Sequence, residues 1–307
     1  MVSEDFASKH FAIKKNANVL TKFIDKINAV KVTMIDYPDQ ERAKKVLVNF
    51  SEASWIEDFF SQANEMDKET AINDLLKGNM LGQGLEALQF TFLVSGLDLH
   101  DTHALVRNRI GVSYLQQSSA VRPFTNSDII VPRAFTKTPE LLARYKEWVI
   151  KGKILYQEML ETGDIAITDA RLALPKTTST WIYVSCNLMT LLAIYSKRSD
   201  SQEEYVAMNE MVKQMKQQVS EKFPYMKNYF VSSCDKGTCL HCKSGYKCNC
   251  IFKRDEKHQL KPGEKDNWTL HSKTKQEMML NAKTYETEYY LGYQKITKGA
   301  YDNEITK

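Results

Sequence analysis

The run Leu88-Gln89-Phe90-Thr91-Phe92-Leu93-Val94 constrains this chain most. Successive side chains of a strand point to opposite faces, so Leu88, Phe90, Phe92 and Val94 share one side. Aromatic and β-branched residues suit a pleated, half-buried surface, and Gly96 ends the run. A chain carrying this segment must build a sheet and cover one face of it. A weaker alternation, Val30, Val32 and Met34 against Lys31 and Thr33, predicts a second strand over 30–36. The turn residues Tyr37, Pro38 and Asp39 close it.

The cover comes from helical spacing. Residues 139–161 predict a helix that opens on Pro139 and places Leu141, Leu142, Tyr145, Trp148 and Val149 three and four apart, with Gly163 as its cap. Residues 203–222 carry Tyr205, Met208, Val212, Met215 and Val219 along one stripe and stop at Pro224, and the methionines read as core filler. Residues 178–196 are nearly continuously apolar apart from Asn187, which predicts a buried helix. Shorter helices are expected over 98–109, in two pieces over 54–77, and over 275–290. Residues 111–133 should be loop and short strand, and 169–175 a short connection. Residues 1–29 read as a polar, Lys-rich arm or a short helix laid on the domain.

Charge excludes little. Against 42 Lys and Arg stand 38 Asp and Glu in 307 residues, a net +4. Binding to nucleic acid needs several cations gathered on one face, and this balance does not supply them by itself. No apolar run reaches the roughly 18 residues of a membrane span, and the first residues are charged where a signal peptide is apolar. The expectation is a soluble, cytoplasmic protein.

Five of the six cysteines, Cys234, Cys239, Cys242, Cys248 and Cys250, fall within 17 residues. A secreted disulfide scaffold spreads its bridges through a small chain, whereas a dense cluster in this composition suits metal. Four thiolates suffice for a tetrahedral Zn2+, with His241 or the fifth Cys to spare, and Gly237 and Gly245 permit the turns between ligands. Reduced free thiols and an iron–sulfur cluster are the alternatives. The Cys-rich module, residues 231–252, is thus set apart from a body over 30–230 and a polar C-terminal extension over 253–307.

Three constellations suit ligands. Arg107-Asn108-Arg109 is followed by Ser113, Gln116, Gln117, Ser118 and Arg122. Paired guanidinium forks with hydroxyl and amide donors suit phosphates, although the same arginines equally complement a helix end. The second is the turn Ala170-Arg171-Leu172-Ala173-Leu174-Pro175, and the third is Asn187 with Arg198 eleven residues on, about three helical turns away. A buried Asn without a partner costs about 1 to 3 kcal/mol, so Asn187 needs either a backbone group or a ligand.

Taken in order and spacing, Glu86-Ala87, Phe90-Thr91-Phe92, Arg107-Asn108-Arg109, Ser113 with Ser118, Ala170-Arg171 with Leu174-Pro175, Asn187, Arg198 and Gln202 resemble the flavin-dependent thymidylate synthases, the ThyX family. The resemblance spans most of residues 30–230. It implies an α+β fold, with a central antiparallel sheet flanked by long helices, that assembles as a homotetramer. It implies FAD reduced by NADPH, methylenetetrahydrofolate as carbon donor and dUMP as the pyrimidine nucleotide that is methylated. Carried over by motif, Arg107, Asn108, Arg109 and Asn187 touch FAD, while Arg171, Arg198 and Ser118 hold the nucleotide, with Gln116 a further contact. Arg198 is the residue expected nearest the chemistry. No enzyme thiol is needed, which agrees with Cys186 in an apolar segment.

The departures are specific. Asn108 and Ala87 stand where the family has His, Ala104 where it has Gln, and Ala120 where it has a nucleotide-binding Arg that Arg122 replaces only by reaching back about 7 Å. One residue is added between Arg109 and Ser113, Met189 and Ala193 replace polar flavin contacts, and the Arg198 to Gln202 stretch is two residues short and lacks its His. The Cys cluster is foreign to the pattern. A rebuilt pocket on a divergent, viral-type member is one reading; hydroxymethylation of a pyrimidine deoxynucleotide is another. The rival is a flavin-free scaffold whose Cys module binds nucleic acid or protein.

Overall fold

In the computed structural model the chain divides into two compact units, Met1–Lys236 and Gly237–Lys307. Residues 19–52, 72, 83–199, 206–233, 289–291 and 294–296 are described. The first unit runs β1 (Phe23–Asp25), a single turn Lys26–Ala29, β2 (Lys31–Asp36), α1 (Gln40–Glu52), a turn Gln83–Glu86, β3 (Gln89–Asp98), α2 (Leu99–Leu105), β4 (Val112–Gln116) and β5 (Ile129–Val131). After a turn Arg133–Thr136 come α3 (Pro139–Thr162), the short turns Ile167–Ala170 and Arg171–Ala173, β6 (Ser179–Asn187), α4 (Leu188–Arg198), α5 (Val206–Lys222) and a 3-10 turn Pro224–Tyr229. The described part of the second unit is a hairpin, β7 (Tyr289–Leu291) antiparallel to β8 (Gln294–Ile296).

Strands β2-β3-β6-β4 form one sheet in that order, and every pairing is antiparallel, as the resemblance implied. β1 pairs in parallel with β5, so the chain from Phe23 onward belongs to this unit and is not a free arm. Phe90, Phe92 and Val94 of β3 and Ile182, Val184 and Cys186 of β6 are buried on one face with the α5 stripe Met208, Met211, Val212, Met215 and Val219. Burying each large apolar side chain is worth about 1.5 to 3 kcal/mol, so this layer carries much of the stability. On the opposite face Leu93, Tyr183 and Leu115 line up across three strands, and Leu115 remains 64% exposed.

The edge strand β2 is covered in an uncommon way. Gln214 and Gln218, one turn apart on α5, act as a surrogate strand: their Oε1 atoms accept from Val32 N at 3.0 Å and Met34 N at 2.7 Å. Their Nε2 atoms donate to Val30 O at 3.1 Å and Val32 O at 2.9 Å. An exposed edge of unpaired backbone groups invites pairing with another chain, and these amides occupy it.

Two expectations need correction. Residues 178–196 are not one helix: β6 occupies Ser179–Asn187 and α4 begins at Leu188. The β-branched and aromatic run Thr180-Trp181-Ile182-Tyr183-Val184 favours strand, and Thr180, Ile182, Val184 and Cys186 alternate as buried residues with half-buried neighbours. Apolarity alone could not distinguish the two. The helix expected over 98–109 stops at Leu105, so Arg107, Asn108 and Arg109 lie beyond its end. The long helix matches its sequence signals, with Pro139 in its first turn and Gly163 at the cap with φ 75°. Of the segment 54–77 only Ile72 is described, and it is buried; the expected helix over 275–290 lies outside the described residues except for Tyr289 and Tyr290, which are in β7. Among the described residues no helix is long and apolar enough to cross a membrane.

Candidate functional site

Three separate stretches of chain meet at the N-terminus of α4. Asn187 ends β6 and caps α4: its Oδ1 accepts from Thr190 N at 2.8 Å, the usual device for an orphan donor of a first turn. Its own N–H donates to Gly111 O at 2.9 Å, and the next N–H, that of Leu188, donates to Leu88 O at 2.8 Å. Thr190 Oγ1 donates to Ile110 O at 2.8 Å. The residues after Glu86-Ala87, those after Arg107-Asn108-Arg109, and the Asn187 turn are therefore tied to one another. Of the two options for Asn187, the local backbone bond is the one made.

Arg107 and Arg109 are exposed at this corner, and Ile110 between them and the strand is 88% exposed. Asn108 turns inward instead, donating Nδ2 to Leu105 O at 2.8 Å, a carbonyl that also accepts from Tyr114 Oη at 3.1 Å. Its side chain thus closes the end of α2. Arg198, the last residue of α4, is 8% exposed and donates Nη2 to Ala104 O at 3.4 Å. Residues 104–111 accordingly run alongside α4, touching Arg198 at one end and Asn187 at the other. Eleven residues of helix separate those ends by about 16 Å.

Close by, a cavity of about 190 Å3 is lined by Asp36, Tyr37, Arg42, Ala87, Leu88 and Gln89, with Gln89 paired to Asn187 across β3 and β6. Ala87, where the family pattern has an imidazole, forms part of its wall. Cys186, immediately before Asn187, is fully buried, and burial pushes its thiol up to about 12. It offers no thiolate near neutral pH.

The other expected residues lie elsewhere in the protomer. β4 carries the chain away from Arg109 to Gln116, which is half-buried, and Ser118, which is exposed. Ser118 O accepts from Arg122 N at 3.2 Å, so a turn brings Arg122 back toward it. Arg122 lines a second cavity of about 310 Å3 with Gln117, Asp128, Thr180 and Trp181. The loop forming this wall is held from beneath by α3: the wholly buried Lys153 donates Nζ to Ser127 O, Tyr156 Oη accepts from Phe124 N at 3.2 Å, and Thr125 Oγ1 donates to Gln157 Oε1 at 2.6 Å. Burial brings the Lys153 ammonium down to about 8, with Asp128 opposing the shift. Arg171 sits in the 3-10 turn packed on α3, exposed, its Nε donating to Thr168 O at 3.0 Å. Cys234, Cys239, His241, Cys242, Cys248, Cys250 and Gln202 lie outside the described residues.

A family model described as thymidylate synthase complementing protein matches residues 33–225, which includes every strand of the sheet from Thr33 of β2 onward. The chain belongs to this family. A flavin-dependent thymidylate synthase of Thermococcus onnurineus is 29% identical over 175 residues, covering 53% of this chain and 68% of that protein. One of Clostridium tetani is 24% identical over 232 residues, covering 70% and 92%. Among solved structures, a UMP/dUMP methylase, PolB, from Streptomyces cacaoi bound with 5-Br dUMP aligns with a TM-score of 0.56 at 19% identity, over 68% of this chain and 96% of that one. The thymidylate synthase complementing fold is therefore shared at a sequence distance where residue roles do not transfer by identity alone.

Sequence reasoning missed three features of this member of the family. Gly111 and Thr190 join the corner through backbone carbonyls, which no side-chain pattern displays. Lys153 was legible in principle, since it falls on the buried stripe Val149, Lys153, Tyr156 and Leu160. The third is a buried cluster in which Lys26 Nζ lies 3.2 Å from Asp98 Oδ2 and 3.0 Å from Asp101 Oδ1. Asp98, His100 and Asp101 bring possible metal-ligand atoms within 4.8 Å of one another, but the Lys26 ammonium already occupies the two carboxylates.

Proposed function

We propose that this protein is a flavin-dependent enzyme that methylates dUMP at C5, with methylenetetrahydrofolate as carbon donor and NADPH as reductant. The observation that carries the reading is that the segment bearing Arg107 and Arg109 is tied to α4 at both ends, to Asn187 and Thr190 through Gly111 O and Ile110 O and to Arg198 through Ala104 O. The donor set fits FAD: two exposed guanidinium forks bind a diphosphate bidentately and remain charged at any working pH, and the nearby helix N-terminus favours the same anion. Asn187 stands beside them at the start of α4. Arg107 and Arg109 would hold FAD, which, when bound and reduced by NADPH, would supply hydride to the transferred one-carbon unit.

The chain's own residues bind and orient. We assign Arg198, which donates Nη2 to Ala104 O, to the uracil carbonyls, where a guanidinium stabilises negative charge developing on the ring. Arg171, Ser118, Gln116 and Arg122 take the nucleotide phosphate and sugar, with Arg122 compensating for Ala120. Asn108 is given to the end of α2, so it contributes to the flavin site through that turn. No enzyme thiol takes part, in keeping with the buried Cys186.

One protomer does not complete this site. Gln116 lies four residues along β4 from Val112, about 13 Å further from the arginine corner, and Arg171 sits in the 3-10 turn packed on α3. The half-open sheet face with exposed Leu115 supports closure by other copies, in a homotetramer. Four of the five clustered cysteines hold a structural Zn2+ that staples a segment beyond the catalytic body, 253–307 forming a separate extension.

The test is direct. Protein incubated with dUMP, methylenetetrahydrofolate, FAD and NADPH should yield a product heavier than dUMP by one CH2 in mass analysis. A product also carrying an oxygen indicates hydroxymethylation, and unchanged dUMP with a colourless protein that takes up no FAD rejects the enzyme. Metal analysis of the full chain should find one zinc per protomer, and finding none rejects the structural zinc.

A further inference from the structure

We propose that Gly111 and Thr190 are positioning residues for the flavin site, acting as a clasp that sets the direction in which Arg107 and Arg109 leave the fold. The inference rests on the flavin reading above. It concerns residues that touch no ligand themselves.

Gly111 adopts φ +67°, a left-handed conformation that a residue with Cβ rarely takes. A Cβ at that position would lie 2.4 Å from Asn187 Nδ2, 2.4 Å from Thr190 Oγ1 and 2.9 Å from Asn187 Cγ. All three distances are below van der Waals contact, so the peptide at 110–111 lies directly on the side chains of the α4 cap. That peptide is also bonded there, since Ile110 O accepts from Thr190 Oγ1 and Gly111 O accepts from Asn187 N. Two successive carbonyls held by one helix turn fix both the position and the plane of the backbone just after Arg109. On the other side, Asn108 Nδ2 and Tyr114 Oη hold Leu105 O. The three residues Arg107, Asn108 and Arg109 are therefore suspended between two fixed ends.

The functional consequence follows from length. A guanidinium fork binds a phosphate bidentately only in a narrow range of orientations, and an unclasped backbone leaves two arginines searching many. The clasp pre-organises them. Thr190 is half-buried and Gly111 intermediate, so neither forms part of the central core, and weakening them leaves the sheet and its apolar layer intact.

The test compares the FAD dissociation constant of the apoprotein, by flavin fluorescence titration well below the melting temperature, for the parent chain, Thr190→Val, Thr190→Ser, Gly111→Ala and Gln218→Leu. Thr190→Val keeps the shape and removes the bond to Ile110 O; about a tenfold loss of FAD affinity is expected, equivalent to about 1.4 kcal/mol. Thr190→Ser restores the hydroxyl and should bind within about twofold of the parent. Gly111→Ala should weaken binding at least as much as Thr190→Val, by displacing Asn187. Gln218→Leu removes two bonds at the far edge of the sheet and should lower the melting temperature without changing FAD affinity, which separates positioning from general destabilisation. If the parent binds FAD and both Thr190→Val and Gly111→Ala bind it as tightly, the clasp is overturned while the flavin reading stands. A parent chain that binds no FAD overturns both. Should Thr190→Val fail to fold, Gly111→Ala decides the matter, and parent-like FAD affinity there overturns the clasp.

Discussion

Replacing Lys26 by Met should destabilise the first unit more than any single surface change, and should do so in a pH-dependent way. Lys26 is 8% exposed, Asp98 1% and Asp101 0%. One ammonium faces two carboxylates, at 3.2 and 3.0 Å, and the cluster carries a net negative charge out of water. Burial, with the Asp98 carboxylate adding to it, pushes Asp101 up to about 6 even though Lys26 opposes the shift. A rise from the ordinary 3.8 to about 6 corresponds to roughly 3 kcal/mol of strain on the charged form. Because the folded pKa is raised, the folded chain binds more protons than the unfolded one between about pH 4 and 6. Stability from this group is therefore gained as pH falls through that window and lost as it rises. Lys26→Met removes the ammonium that pairs with both carboxylates and leaves them buried, a change that typically costs about 3 to 5 kcal/mol. At roughly 2 to 4 °C per kcal/mol for a unit of this size, the melting temperature at pH 8 should drop by roughly 6 to 20 °C. At pH 5 the raised Asp101 carboxyl is largely protonated and the deficit should shrink by about half. The assay is differential scanning calorimetry of parent and variant at pH 5 and pH 8. A deficit under about 1 kcal/mol at pH 8, or one equal at both pH values, would refute the ionic account. Asp98 also caps α2, accepting from Asp101 N at 2.7 Å, so the anchor bears on the helix that delivers Arg107.

Asn187→Ala should cost about 1 kcal/mol by loss of the α4 cap and should also reduce FAD binding, whereas Asn187→Ser, which keeps a capping oxygen, should retain most of the stability; urea denaturation measures the stabilities and flavin fluorescence titration the binding. Lys153→Met tests the buried amine under the Arg122 loop. With its folded pKa lowered to about 8, the parent should gain stability as pH rises from about 8 toward 10, and the variant should lack that rise in urea midpoints measured across the range. Gln218→Leu should strip Met34 N and Val32 O of their partners, costing about 1 to 3 kcal/mol and promoting concentration-dependent association through β2, visible by light scattering.

Much of the frame was legible in the chain itself. The alternation over 88–94, the Pro139 and Gly163 limits of α3 and the α5 stripe each follow from periodicity and backbone chemistry local to the segment, and the structure keeps them. The ordered motif from Glu86 to Arg198 was enough to indicate the family and the antiparallel sheet. What local pattern misjudged was residues 178–196, where an apolar run carries no period that separates strand from buried helix. There the strand won because β3 and β4 supply hydrogen-bond partners on both sides of β6, a fact about neighbours and not about the segment. The same reason governs the site. Residue types singled out Arg107, Arg109, Asn187 and Arg198 as candidates, since charge and amide chemistry travel with the side chain. Only the folded chain decided that Asn108 closes a helix, that Gly111 lies on the Asn187 cap and that Lys26 pairs with both Asp98 and Asp101, because those roles depend on backbone carbonyls and distant partners that meet through the sheet.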